Sequence, residues 1–316
     1  MRIERSDFDA DGTDEMVVSS PRMSALVRPA GGGTVEALDF RPSAMTLINS
    51  LRRRPEAYHD RLRSASHGHA GRVASIHDNV RSREEGLERF LQYDRWPRNA
   101  FRLLLFSPSK RYEDYAAVLL DENAALAGGD YAVRAVGGSH LDLSCETVIE
   151  NREGSANRIC CLKRFSFAHD EGDGYTLSCA LELSAGGSQP LRALLGLEVV
   201  LNLLAPTEPD RYFEVQGQRH PLRWAAAVPA APTGASLRVV DEWQNVAAKI
   251  DAPSATQFWI APIETVSESE LGFERVYQGS QILALWPVEI AAGSPWRGEA
   301  ILRVTQAHAA SRREKS

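Results

Sequence analysis

Residues Pro262–Gly279 read PIETVSESELGFERVYQG, with four glutamates, Glu264, Glu268, Glu270 and Glu274, threaded through Thr, Val, Phe and Tyr. β-Branched and aromatic residues on either side of the polar stretch Ser267–Gly272 predict two strands joined by a tight turn. Strand side chains alternate faces, so Glu264, Val266, Glu268 and Glu270 share one side for as far as the strand runs. Carboxylates gathered on one sheet face and flanked by Trp259 and Trp286 have the chemistry that grips a sugar. The acids accept from hydroxyls, and the indoles cover the flat face of the ring. The competing reading is a solvated hairpin whose charges point outward.

The same alternation runs outward from this stretch in both directions. Met23–Val27, Thr34–Phe40, Tyr131–Val136, Leu141–Ile149, Ile159–Phe167 and Tyr175–Leu183 all read as strands. Leu194–Leu203, Tyr212–Val215, Ser236–Asp241, Ala247–Ile250, Gln257–Pro262, Ile282–Glu289 and Glu299–Val304 continue the series. Turn signals such as Glu153-Gly154, Asp173-Gly174 and Gly186-Gly187 separate many of them. So many strands with so little helix predict an all-β, antiparallel sandwich. One helix is expected around Ser82–Tyr93, where Leu87, Phe90 and Leu91 fall at i, i+3 and i+4, and a shorter one over Ala44–Arg53. Ser64–Arg72 (SASHGHAGR) reads as a loop, and Gly31-Gly32-Gly33 as a tight turn between strands. No linker divides the chain, so 1–310 is read as one β-sandwich domain and 311–316 as a disordered tail.

At 316 residues the chain can bury a sizeable core without covalent staples. Its 43% hydrophobic and 25% charged residues are ordinary for a globular protein. A net charge of −6 gives no electrostatic support for binding nucleic acid or an anionic membrane. No apolar run approaches the roughly 20 residues of a membrane span, and MRIERSDFDADG lacks the apolar centre of an export signal. A cytoplasmic location is therefore expected. Cys145, Cys160, Cys161 and Cys179 all fall in strand-like segments, and the adjacent pair must point to opposite faces. They read as free buried thiols. Phosphate-loop, dinucleotide, G-x-S-x-G and H-E-x-x-H signatures are absent, and no organic cofactor is expected.

Asp7, Asp9, Asp11, Gly12, Thr13 and Glu15 spell D-x-D-x-D-G-T-x-E. Alternating carboxylates around a glycine turn, with the Thr13 carbonyl at the seventh position, suit a structural calcium ion that needs six to eight oxygens. Val18 stands at the twelfth position, where an EF-hand carries its closing glutamate, so a further oxygen must come from elsewhere. The alternative is an acidic, flexible N-terminus. YDRWPRNAF (Tyr93–Phe101) reads as a corner locked by an Arg98–Asp94 pair, or as a face on which Trp96 and Arg98 meet a partner domain or a glucan. Trp243 and Trp296 are further stacking candidates. His59, His67, His69, His77, His140, His169 and His220 are each read first as structural residues.

Several of these segments, in this order, resemble the C-terminal β-sandwich domain of the α-amylase and 4-α-glucanotransferase group in glycoside hydrolase family 57. They are DFDADGTDEMVV (Asp7–Val18), RPAGGGTVEALDFRPSAMTLINSLRRRPEAYH (Arg28–His59), SIHD (Ser75–Asp78), YDRWPRNAF, LLGLEVVLNLL (Leu194–Leu204) and WPVEI (Trp286–Ile290). The resemblance implies a galactose-mutarotase-like super-sandwich accompanying a catalytic barrel, in cis or in trans. The two-carboxylate retaining chemistry implied for the family belongs to that barrel, and no segment here resembles its motifs. The expected role is a non-catalytic module holding α-glucan oligosaccharide through Glu264, Glu268, Glu270, Trp259, Trp286 and Trp96. Such a binder should show at least one unburied Trp beside the acidic hairpin. The alternatives are a free-standing aldose-epimerase-like enzyme using a Glu/His pair in the sandwich cleft, and a purely structural domain.

Overall fold

In the computed structural model, residues 1–67, 84–150, 156–170, 172–187, 189–270 and 272–307 are described. The chain opens with an antiparallel meander in sequential order: β1 (Arg2–Ser6), β2 (Glu15–Ser19), β3 (Met23–Arg28), β4 (Thr34–Phe40) and β5 (Met45–Asn49). Helix α1 (His59–His67) follows, then β6 (Arg102–Phe106), α2 (Tyr112–Ala116) and α3 (Ala124–Gly128). The strands after these are β7 (Ala132–Val136), β8 (His140–Glu150), β9 (Ala156–His169), β10 (Tyr175–Gly186), β11 (Leu191–Leu201) and β12 (Arg211–Val215). The chain continues as β13 (Gln218–Pro221), β14 (Ala226–Pro229), β15 (Ala235–Asp241), β16 (Val246–Ala252), β17 (Gln257–Ser269), β18 (Gly272–Ile290) and β19 (Trp296–Thr305). A nine-stranded sheet runs β13-β12-β15-β16-β19-β10-β9-β8-β7, and a five-stranded sheet runs β14-β17-β18-β11-β6.

Period-two patterning decides which faces meet. Along β10, Tyr175, Leu177, Cys179, Leu181 and Leu183 are buried in turn, and on β9 Ile159, Cys161, Phe165 and Phe167 face the same way. These side chains join those of β2–β5, β11, β17 and β18 in one continuous apolar core shared by all three sheets. Cys145, Cys161 and Cys179 point into it, while Cys160 faces the other side of β9, as adjacent strand residues must. Burial pushes the Cys161 and Cys179 thiols up to about 12.

One inward position on β9 carries a charge. Lys163 is fully buried, and its Nζ donates to the carbonyls of Gly32 (2.7 Å), Gly33 (3.0 Å) and Phe101 (2.8 Å), beneath the Tyr131 ring at 4.7 Å. Burial pushes the ammonium down to about 8, so it is charged at neutral pH, with all three protons used. The glycines are required here. Gly32 lies at φ +120, and a Cβ on it would meet the Ala127 carbonyl at 2.5 Å. Arg102 closes the same turn from the other side, donating to the carbonyls of Gly31 and Ala127.

Several sequence expectations change. The expected helix over Ala44–Arg53 is strand β5, paired along β4 with Leu47 and Ile48 both fully buried. The register shifts between Leu38 and Asp39, so Leu47 is the extra residue of a bulge on β5 and both Leu47 and Ile48 turn inward. Of the helix expected at Ser82–Tyr93, the described part is a short 3₁₀ turn, Leu87–Phe90, entered through Gly86 at φ 70. Helix α1 takes up the first residues of the segment expected to be a loop. The rest of that loop, His69, His77, the Glu153-Gly154 turn and the tail after residue 307 lie outside the described residues. Strands β1, β2, β6, β13 and β14 were not expected.

Replacing Lys163 by Met keeps the stem but leaves three buried carbonyls without a donor, at about 1–3 kcal/mol each. Urea unfolding should show Lys163→Met lowering the midpoint by an amount equivalent to at least about 3 kcal/mol; an unchanged midpoint would mean the clamp is dispensable.

Candidate functional site

The acidic stretch is a β17–β18 hairpin, as its alternation predicts, with Glu270 in the turn after β17. A bulge between Ile263 and Glu264 re-aims the strand before the acids begin. The face shared by Glu264, Val266 and Glu268 is not open. Val266 packs with Leu62, Leu87 and Phe273, so α1 and the 3₁₀ turn both lie against the hairpin. Glu264 is buried between Arg223 (3.1 Å) and Arg275 (3.2 Å). Glu268 pairs with Arg61, and both side chains remain solvent-accessible. Glu270 is exposed. The sequence reading found the acids and missed their arginines, which lie 11 to 207 positions away from them.

His59 is the imidazole that reaches this hairpin among the described residues, and its hydrogen bonds fix its role. Nδ1 accepts from the Glu56 N–H (3.1 Å) and the Tyr93 hydroxyl (3.1 Å), so Nε2 carries the proton that goes to the Val266 carbonyl (3.1 Å). Both nitrogens of this buried ring are engaged, and it acts as a staple between α1 and the hairpin. His140, His169 and His220 lie on other strands, His220 stacked on Trp224 at 3.8 Å.

Of the indoles expected to flank the acids, Trp259 and Trp286 are 3% and 2% exposed. Trp259 is enclosed by Phe106, Tyr112 and Tyr115, and Trp286 packs edge-on against Trp296. Neither has a face left for a sugar. They lie along strands whose both faces are covered, which alternation alone does not reveal. The most exposed indole is Trp243, on the β15–β16 turn.

Trp96 is different. It is half-buried at the mouth of a cavity of about 110 Å³ lined by Arg98, Tyr115, Glu122 and Glu198. Its Nε1 donates to Glu122 Oε1 at 2.6 Å, and the Arg95 guanidinium lies over its ring at 5.0 Å. The ring rests against Gly128, where a Cβ would come within 2.0 Å of it. Below, the corner is locked as its sequence predicts: Arg98 bridges Asp94 (2.8 Å) and Glu198 (2.7 Å), and Arg53 grips Asp94 from the other side at 2.7 Å. The Tyr115 hydroxyl donates to Glu198 at 3.0 Å. Burial opposes charge on Asp94, but the Arg53 hydrogen bond and the Arg98 and Arg53 charges outweigh it and hold the carboxyl below its usual range. Burial likewise opposes the Arg98 charge, which Glu198 and Asp94 then restore to above its ordinary value.

In the N-terminal loop, oxygens of Asp7, Asp9 and Glu15 lie within 4.8 Å of one another. Glu15 is fully buried; Oε2 accepts from the Phe8 N–H at 2.9 Å, while Oε1 has no partner. Asp11 faces elsewhere, accepting from Thr13 and Arg28, and Arg28 also holds Asp9 at 3.1 Å. The oxygens that converge are thus a subset of the sequence-expected group Asp7, Asp9, Asp11, Thr13 and Glu15.

The layered antiparallel architecture is that of galactose-mutarotase-like proteins. A galactose mutarotase-like protein from Clostridium acetobutylicum matches 96% of this chain and 98% of its own at a TM-score of 0.55 and 10% identity. The family model "Alpha-amylase/4-alpha-glucanotransferase, C-terminal" matches residues 7–299, and the chain belongs to that family. Alpha-amylase 1 of Dictyoglomus thermophilum is 31% identical over 94% of this chain and 41% of its own length. The 4-alpha-glucanotransferase of Thermococcus litoralis superimposes with a TM-score of 0.70 at 21% identity, over 96% of this chain and 39% of that one. The chain therefore spans about two fifths of the length of the relatives it matches.

The Asp94 geometry sets a pH dependence. Its folded pKa lies below the unfolded value of about 3.9, so the stabilisation is complete above that pH and is lost as pH falls through the folded pKa. Acid unfolding of Asp94→Asn should show a shallower loss of stability below about pH 4 than the parent; identical acid limbs would show that Asp94 does not carry it.

Proposed function

We propose that this chain binds and positions α-1,4-glucan beside a glycoside hydrolase family 57-type amylase or glucanotransferase catalytic domain, without itself supplying a catalytic residue. The observation that carries this reading is the Trp96 cavity in a chain of this family. An indole fixed at the rim stands over Glu122, Glu198 and Arg98, whose positions are held by ion pairs. Such a site offers carboxylate acceptors held in place for sugar hydroxyls, and a ring face that a sugar reaches by displacing the exposed Arg95 side chain. The engagement of both His59 nitrogens supports a binding module over an epimerase-like enzyme, which requires a free acid–base pair. A cytoplasmic location belongs to the same reading and fits the free thiols. Among the described residues, no helix is long and apolar enough to cross a membrane.

On this reading, Glu268 and Glu270 extend the glucan contact along the hairpin. Calorimetric titration with maltoheptaose should give binding without any change in the sugar. Glu268→Ala should weaken it about tenfold, the loss of one hydrogen bond to a charged group. Tm should barely move, because an exposed ion pair contributes about 0–1 kcal/mol. A marked fall in Tm would make Glu268 a structural residue, and no heat from the parent chain would remove the glucan reading.

A structural calcium ion is a second proposal, supported by the unpartnered, fully buried Glu15 Oε1 beside Asp7 and Asp9. A buried carboxylate oxygen without a donor is costly, and a hard cation that takes oxygen ligands is the partner it suits. Differential scanning calorimetry should show calcium raising Tm in the parent and not in Glu15→Gln. An unshifted Tm in excess calcium would exclude the ion.

A further inference from the structure

Trp243 is 74% exposed, the highest value among the exposed large apolar side chains of the described residues. Exposed side chains of this size usually sit on loose segments, but the β15–β16 turn that carries it is pinned from several directions. The Glu242 N–H donates to the Asp210 carbonyl (2.9 Å) and the Gln244 N–H to the Asp241 carboxylate (2.8 Å). Asp241 is itself buried and paired with Arg211 at 3.1 Å. The turn ends at Asn245 in the left-handed region (φ 52), where the Ser43 hydroxyl donates to its carbonyl at 2.7 Å.

The residue before the indole, Glu242, is polar and fixed. The Tyr212 hydroxyl donates to Glu242 Oε1 at 2.8 Å, Arg219 reaches the same oxygen at 3.5 Å, and the Arg219 guanidinium lies on the Tyr212 ring at 3.9 Å. Gln244, the next residue of the turn, is exposed. None of the other exposed large apolar residues, Met1, Phe8, Leu119, Val136, Val148 or Leu204, lies on β12, β15, β16 or this turn. Even fully exposed, a single indole offers about 250 Å² at most, against the roughly 800 Å² per partner of a standard protein interface. A lone exposed ring flanked in sequence by a held carboxylate and an exposed amide has the size and chemistry of a pyranose platform. The sugar's C–H face lies on the indole, and its hydroxyls turn to Glu242 and Gln244.

We infer that Trp243, with Glu242 and Gln244, forms a surface site for a pyranose ring of an oligosaccharide, separate from the Trp96 cavity and the hairpin. The inference rests on the glucan reading for the identity of the sugar. Two sites on one chain let a long glucan gain avidity that a short one does not.

Tryptophan fluorescence and calorimetry with maltoheptaose test it on the 316-residue chain, comparing Trp243→Ala, Trp243→Phe and Glu268→Ala. The expected result is quenching in the parent that Trp243→Ala reduces by the Trp243 share, with affinity at this site down about tenfold, the worth of one aromatic contact. Trp243→Phe should retain part of the affinity, and Tm should be unchanged in both variants because the side chain is exposed. Parent-like binding and quenching in Trp243→Ala, with Glu268→Ala impaired, would overturn the Trp243 site and leave the glucan reading standing. A parent chain that binds no maltoheptaose would overturn both.

Discussion

Three sheets meet at one ammonium group. The Lys163 clamp takes its carbonyls from the β3–β4 turn of the first sheet and from Phe101 at the start of β6 in the third, while the lysine itself belongs to the nine-stranded sheet. A buried charge is costly unless every proton finds an acceptor, and here all three do. The requirement is geometric as much as energetic. Only glycine fits at Gly32, and Phe101 must hold φ 62, a region that non-glycine residues seldom adopt. The N–H of Phe101 donates to the Glu198 carbonyl at 2.6 Å and its ring packs on Phe165, so the strain is held in place by β11 and β9. Glu198 in turn carries Arg98, the base of the Trp96 cavity. The clamp and the cavity floor are thus two ends of one polar chain through the molecule.

All strands of the nine-stranded sheet except the four-residue edge strand β13 were legible because one face is buried and the other wet, so alternation survives in the residues. Ala44–Arg53 reads as helix because a bulge at Leu47 turns two successive residues inward and the period-two signal is lost. Strands β2 and β6 hid behind apolar runs, whereas β1 is almost wholly exposed and carries no apolar alternation to read. The corner at Tyr93–Phe101 was readable because its Arg–Asp pair is only four positions apart, whereas the partners of Glu264 and Glu268 are brought in by topology. The glycine triplet could be recognised as a turn, but not as the seat of a lysine more than a hundred residues away.

The hairpin shows why composition misleads about a site. Four glutamates in eleven positions suggest an open acidic face, yet the fold supplies Arg61, Arg223 and Arg275 to it and lays α1 across it. Its electrostatic character is that of a neutralised interface between elements. The groups presented to solvent with their geometry fixed in advance are Trp96 and Trp243, each set among hydrogen-bonding neighbours.

The inward thiols give the molecule a built-in clock. Cys145, Cys161 and Cys179 sit around Lys163 with Cys161 and Cys179 raised to about 12, while Cys160 faces outward on the same strand as Cys161. The thiolate is the reactive form, so an alkylating reagent meets Cys160 readily and the other three only when the sheets part. The slow phase of labelling therefore counts openings of the core, and because the three thiols lie on adjacent strands β8, β9 and β10, their relative rates tell whether that core opens strand by strand or all at once.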